Sequence, residues 1–209
     1  MKPLIAVIDY EMGNLHSVAK ALECAGARVQ VTSSPRAMRK ADGIVLPGVG
    51  AFGEAVKRLR AQKLVAPILE ALGKGTPFLG ICLGLQLLFE RSEESAGVRG
   101  LGVFAGDVER FPRGALKVPH MGWNIIERGP AGRTEILKGV SANSYFYFVH
   151  SYYPAPEDRG IIATRTDYGR AFCSSIARGR VYASQFHPEK SGAAGQRLLR
   201  NFVQEVSAC

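Results

Sequence analysis

The chain opens on an uninterrupted apolar run, Leu4-Ile5-Ala6-Val7-Ile8, closed by Asp9 and the loop Glu11-Met12-Gly13-Asn14. A short run without alternation predicts a strand buried on both faces, here over residues 4–9. Asn14 is placed to cap a helix whose apolar positions, Leu15, Val18, Ala19 and Leu22, follow helical spacing and stop at Gly26. Residues 28–32 alternate and predict a second strand. A third, Ile44-Val45-Leu46, runs into the glycine-rich turn Pro47-Gly48-Val49-Gly50-Ala51-Phe52-Gly53. Helical spacing resumes from Glu54 to Leu72 with a break near Lys63, and Gly73 ends it. Residues 77–81 are then a short buried strand running into Cys82, with helical positions Leu85, Leu87, Leu88 and Phe89 beyond it. Strand and helix in this rhythm predict right-handed crossovers and a doubly wound, mostly parallel sheet.

Beyond residue 100 the rhythm changes. Residues 101–111, 118–127, 145–152, 161–167, 171–177 and 181–186 all carry strand patterns, and short turns such as Ala177-Arg178-Gly179-Arg180 join some of them. That spacing predicts antiparallel hairpins. An amphipathic helix closes the chain from about Ser191, with Leu198, Leu199, Phe202, Val203 and Val206 on one face. The expectation is one α/β domain over residues 1–209 whose second half carries an antiparallel β extension.

Composition narrows the function classes. Of 209 residues 46% are hydrophobic and 22% charged, the balance of a globular protein. The first apolar run is too short for a signal segment, and no run is long enough to span a bilayer, so a soluble cytoplasmic protein without membrane association is expected. The formal net charge of +9 raises the question of nucleic acid. Basic residues are scattered, however, with nothing longer than pairs such as Arg39-Lys40, and they lack the aromatic interleaving of RNA-binding sheets. No nucleic-acid partner is expected; a basic face that docks on an acidic protein or guides an anionic metabolite suits the charge better. Cys24, Cys82, Cys173 and Cys209 lie far apart without a CxxC pair, which argues against zinc and disulfide frameworks. A cysteine that matters here acts alone as a thiolate; Cys24 and Cys173 are expected to pack and Cys209 to sit at a frayed end.

One cysteine stands in such a setting. Gly80-Ile81-Cys82-Leu83-Gly84 lies between an apolar strand and a helical pattern, a nucleophile-elbow spacing with cysteine in the serine position. Glycines two before and two after leave room for a sharp turn that strains the central residue and sets its thiol at a helix N-terminus. The Leu83 amide then points to the same spot as one oxyanion donor. A buried structural cysteine in a tight turn has the same pattern. Gly48-Val49-Gly50 follows the third strand and can bring a second backbone N–H into the same crevice; its spacing fits neither a dinucleotide fingerprint nor a P-loop. In Gln185-Phe186-His187-Pro188-Glu189-Lys190, Pro188 forces the chain out of the ladder after His187, and Glu189 is near enough to hold the imidazole.

PGVGAFG at 47–53, GICLGLQLLFE at 80–90 and QFHPEKS at 185–191 together resemble the triad, or class I, glutamine amidotransferases, with their flavodoxin-like fold. Asp9-Tyr10 with Gly13-Asn14, Pro119-His120-Met121-Gly122-Trp123-Asn124 and Tyr147-Phe148-Val149-His150-Ser151-Tyr152 narrow the resemblance to the glutaminase subunits of imidazole glycerol phosphate synthases, enzymes of histidine biosynthesis. The resemblance covers essentially the whole chain. It implies a catalytic triad of Cys82, His187 and Glu189, with backbone oxyanion donors at Val49 and Leu83. Gly48, Gly50, Gln86, Glu94, His150, Ser151 and Tyr152 are implied to hold glutamine, with Glu94 on its α-ammonium. Asn14, Met121, Trp123, Tyr147 and Lys190 are implied to face a cyclase partner, a (β/α)8 barrel bound as a heterodimer and fed with ammonia. No metal or organic cofactor is implied.

Overall fold

The computed structural model describes residues 1–112, 114 and 116–208, so the expectation for Cys209 lies outside the described residues. Its first half follows the predicted alternation: β1 (Leu4–Ile8), α1 (Leu15–Cys24), β2 (Arg28–Thr32), α2 (Pro35–Met38), β3 (Gly43–Gly48), α3 (Phe52–Ala61), α4 (Val65–Gly73) and β4 (Phe78–Cys82). The single turn α2 was not expected; Ser34 caps it and Pro35 starts it. The break between α3 and α4 falls at Lys63, which has φ +57°.

The second half contains α5 (Leu83–Gln86), β5 (Arg91–Ser92), β6 (Gly106–Arg110), β7 (His120–Ile125), β8 (Glu127–Arg128), β9 (Tyr145–His150), β10 (Tyr152–Pro156), β11 (Ile162–Asp167), β12 (Ala171–Arg178), β13 (Val181–Ser184) and α6 (Gly192–Ser207). An eight-stranded sheet has the order β2-β1-β3-β4-β13-β12-β11-β8. Pairing is parallel from β2 through β13 and antiparallel from there to β8. The doubly wound parallel sheet with an antiparallel extension is therefore found. The last strand of the chain, β13, closes the parallel half by lying beside β4, with Ser184 opposite Ile81. Its other edge is the hairpin partner of β12.

Several predicted strands are shorter than expected. Residues 101–105 are loop, pinned by Leu101 N–H on the Leu87 carbonyl and Val103 N–H on the Leu88 carbonyl, both at 2.8 Å. Positive φ at Gly102 and Gly106 breaks the extended run and delays β6. The 145–152 strand divides at Ser151: β9 pairs with β7 in a two-stranded sheet, and β10 joins β6 in a three-stranded one. The 118–127 strand likewise divides into β7 and the short β8. The helix expected after Cys82 is only the one turn of α5, because the chain leaves it at Leu87 to wrap the 100–104 loop.

Two apolar clusters cover the two faces of the main sheet. One gathers Val18 and Leu22 of α1 with Leu198, Leu199 and Phe202 of α6, and the other Phe52, Val56 and Leu59 of α3 with Ile68 of α4. Cys173 is buried as expected, and burial pushes its thiol up to about 12. Cys24 is exposed, contrary to expectation, since it stands two residues beyond Leu22 and so on the far side of α1. No helix among the described residues is long and apolar enough to cross a membrane.

Candidate active site

The carboxyl ends of β3, β4 and β13 lie side by side, and this is where a doubly wound sheet presents ligands. Gly48 is level with Cys82 in the register. Cys82 has φ +54° and ψ −104°, a conformation a cysteine adopts only when its surroundings enforce it. They do so through the two glycines. A Cβ on Gly84 would collide with the Leu46 carbonyl oxygen, and one on Gly80 would lie 2.9 Å from the Gly84 carbonyl. The elbow expected from the GxCxG spacing is present, but the helix behind it has a single turn. The summed dipole of a full helix is therefore missing, and the free N–H groups of the turn are what remains.

His187 leaves the end of β13 as expected, and Pro188 begins a 3-10 turn directly after it. Its Nδ1 is 2.8 Å from Glu189 Oε1, with the two side chains only 2% and 1% exposed. Facing a carboxylate, Nδ1 carries a proton, and the other nitrogen is free for chemistry. That Nε2 is buried without a hydrogen-bond partner, as is Glu189 Oε2, and Cys82 is the neighbouring ionisable group. Burial opposes an imidazolium, but contact with Cys82 and then Glu189 outweighs it and lifts the His187 pKa to about 10.

Around Cys82 is a cavity of about 460 Å3 lined by Val49, Gly50, Leu83, Gln86, Glu94, Pro119, Val149, His150, Ser151 and Tyr152. All of these except Pro119 and Val149 were singled out from the sequence. Gly48, also singled out from the sequence, does not line the cavity; it packs behind the lining, where an added Cβ would strike the Tyr10 hydroxyl and press on Leu83. Glu94 is not a free surface carboxylate: its Oε2 accepts the Phe52 N–H at 2.7 Å, while Ser95 Oγ accepts the Gly53 N–H at 3.0 Å. The loop thus caps α3 and fixes Glu94 at the cavity wall. Gln86 is buried; its Nε2 donates to the Tyr152 carbonyl at 2.9 Å and to Gln185 Oε1 at 3.1 Å.

Gln185 was quoted in a motif but given no role. Its Nε2 donates to Cys82 Sγ at 3.5 Å, while the thiol points at the Val149 carbonyl, 3.9 Å away. Gln185 is fully buried, two residues before the histidine; its place in the QFHPEK motif was the only trace of it in the sequence. A strained cysteine, a histidine held by a buried carboxylate and a cavity of this shape are the parts that a thiol-based acyl transfer requires.

The chain matches the family Glutamine amidotransferase class-I over residues 6–206. The chain belongs to the class-I glutamine amidotransferases. Among its relatives is the imidazole glycerol phosphate synthase subunit HisH of Thermosynechococcus vestitus, 51% identical over 206 residues and 98% of each chain. The protein of the same name from Aquifex aeolicus is 52% identical over 201 residues, covering 96% of each. Solved structures share the fold at lower identity. One titled as a glutamine amidotransferase has a TM-score of 0.72 at 20% identity, covering 97% of this chain and 98% of that one. The glutaminase domain of Trypanosoma brucei CTPS with bound acivicin has 0.70 at 17%, covering 99% and 94%.

Within this class-I amidotransferase, the five residues expected to meet a partner fall outside the cavity. Met121 and Trp123 on β7 are 62% and 56% exposed. Trp123 lies opposite Tyr147 in the register, their rings 6.1 Å apart, and Lys190 Nζ is 5.8 Å from the Tyr147 ring centre. Asn14 is exposed and caps α1 through the Ser17 N–H at 3.3 Å. Among the described residues, no group of three histidine, cysteine or carboxylate side chains is arranged to hold a metal ion.

Proposed function

We propose that the chain is the glutaminase subunit of imidazole glycerol phosphate synthase, with Cys82, His187 and Glu189 as its triad. The observation that carries the reading is the charged His187–Glu189 pair beside a strained Cys82 at the wall of a cavity sized for an amino acid. Cys82 Sγ attacks the side-chain carboxamide carbon of glutamine. His187 then gives its proton to the departing nitrogen, so that the C–N bond breaks, ammonia leaves and a glutamyl thioester remains. His187 next takes a proton from water, whose oxygen attacks the thioester; the C–S bond breaks and glutamate and the thiolate are released. The Val49 and Leu83 N–H groups serve the oxyanion. Glu94 takes the α-ammonium, while Gln86 and the backbone of His150, Ser151 and Tyr152 shape the amino-acid end of the site.

The ammonia passes to a cyclase partner, a (β/α)8 barrel in a heterodimer, docked on the face of Met121, Trp123, Tyr147, Lys190 and Asn14. The cyclase uses it to form imidazole glycerol phosphate and an aminoimidazole carboxamide ribotide. An exposed aromatic anchor such as Trp123, backed by the half-buried Tyr147, suits such a contact. Glycines on both sides of Val49 allow its peptide to turn, so the second oxyanion donor can form when the partner is loaded. The test compares glutamine hydrolysis by the wild type and by Cys82→Ala, each with the cyclase partner present. Activity retained by Cys82→Ala refutes the triad. Equal rates for the wild type alone, with partner, and with liganded partner refute the gating.

A further inference from the structure

Beneath the docking face lies a pair of buried histidines that the mechanism above leaves unused. His120 of β7 and His150 of β9 are opposite one another in the register, 3% and 6% exposed, with His120 Nδ1 and His150 Nε2 3.0 Å apart. The neighbours fix every proton. The Tyr152 carbonyl can only accept, so His150 Nδ1, at 2.8 Å, carries hydrogen and donates to it. His150 Nε2 is then bare and accepts from His120 Nδ1. His120 Nε2 is bare in turn and accepts from Asn124 Nδ2 at 3.2 Å. Asn124 cannot be reversed, because its Oδ1 accepts the Ile125 N–H at 2.8 Å and its Nδ2 also donates to the Asp167 carbonyl at 2.8 Å.

The run does not stop at Tyr152. Its carbonyl also accepts from Gln86 Nε2, which donates onward to Gln185 Oε1, and Gln185 Nε2 donates to Cys82 Sγ. We propose that His120 and His150 are positioning residues. They tie the two-stranded sheet that carries Met121 and Trp123 to the nucleophile through the unbroken run Asn124, His120, His150, Tyr152 carbonyl, Gln86, Gln185 and Cys82. The inference rests on the function proposed above and extends it to the route by which docking reaches the thiol.

Two further features fit this role. His120 is held between the Phe148 ring, 4.8 Å away, and the Tyr168 ring, 4.0 Å away, both stacked on it, so it cannot turn out of line. A run of this polarity works only with both rings neutral, since a second proton would set two N–H groups against each other. Burial keeps them so, lowering His120 to about 4 and His150 to about 3. The stacking alone would accept any flat ring; only the hydrogen bonds call for imidazole at both places.

The experiment compares His120→Phe and His120→Gln with the wild type, each with the cyclase partner. Phenylalanine keeps the stack and removes the hydrogen bonds, whereas glutamine keeps a donor and an acceptor. Kinetics with glutamine are read beside the alkylation rate of Cys82 by iodoacetamide, a probe that needs no glutamine site. His120→Phe removes the bonds to both Asn124 and His150; the break at His150 alone is expected to lower kcat and alkylation about tenfold, with KM within about twofold. Its stimulation by the partner should shrink in proportion, and His120→Gln should recover most of the loss. The proposal is overturned if His120→Phe keeps wild-type kcat and stimulation, or if both variants are impaired equally. A wild type that hydrolyses no glutamine with its partner sinks the functional reading instead, so the two failures are distinguishable.

Discussion

Replacing Glu189 by glutamine removes one negative charge and little else, since the amide oxygen can still accept from His187 Nδ1 at the 2.8 Å position. What is lost is the charge assistance in a pair only 2% and 1% exposed, where a hydrogen bond to a charged group contributes about 1.5–3 kcal/mol. If that difference is felt in the transition state, where His187 carries its proton, kcat should fall roughly 10- to 100-fold with little change in KM. The pH dependence is fixed in sign. The His187 pKa is raised from 6.5 to about 10, so its contribution to stability is complete below the unfolded value and is lost as pH rises through about 10. In Glu189→Gln that folded value moves down toward the ordinary one. The stability gap between variant and wild type should therefore be widest near and below neutral pH and close above about pH 10. Steady-state kinetics, chemical denaturation at several pH values and NMR titration of the His187 ring read these three effects. An unchanged His187 titration, or an unchanged kcat, refutes the assignment of Glu189.

Gly84→Ala should lower stability by about 1–3 kcal/mol or prevent folding, because its Cβ meets the backbone carbonyl of Leu46, which has no rotamer with which to yield. Denaturant unfolding checks this, and a wild-type midpoint would contradict the elbow geometry. Glu94→Ala should raise the KM for glutamine and also loosen the start of α3, at about 0.5–2 kcal/mol for the lost cap. The cap effect without the KM effect would remove Glu94 from the substrate site. Trp123→Ala should weaken cyclase binding by about 2 kcal/mol or more, roughly a 30-fold change in Kd, with the isolated chain's thermal midpoint unaltered. Titration calorimetry measures it, and an unchanged Kd would move the docking face elsewhere.

The parallel half of the fold and the elbow were legible because both rest on local pattern. Uninterrupted apolar runs, helical spacing and glycines at fixed offsets from Cys82 each constrain a few neighbouring residues. Gln185 and His120 were not legible in the same way. Gln185 matters because β13 is inserted beside β4, a pairing between residues about one hundred positions apart that no short window encodes. His120 matters because β7 pairs with β9 and sets it opposite His150. The overlong strands at 101–111 and 145–152 fail for a related reason. Apolar alternation continues through both, but positive φ at Gly102 and Gly106 delays the start of the first, and departure to another sheet at Ser151 divides the second.

The one-turn helix after Cys82 shifts where its reactivity must come from. A helix this short adds little dipole, so the elbow places the thiol while the neighbouring charge is that of His187, whose pKa is raised. His187 is itself suspended from the two-stranded sheet of β7 and β9: its N–H donates to the Tyr147 carbonyl at 2.9 Å. Ser191 Oγ bridges the two segments, donating to the His187 carbonyl at 2.6 Å and accepting the Tyr147 N–H at 3.0 Å. Tyr147 is in turn the cross-strand neighbour of Trp123. The nucleophile is reached from β7 through the histidine pair, and the base from β9 through Tyr147. A displacement of that two-stranded sheet should therefore reach Cys82 and His187 from both sides, and the chemistry proposed for them depends on how the two groups are set against one substrate.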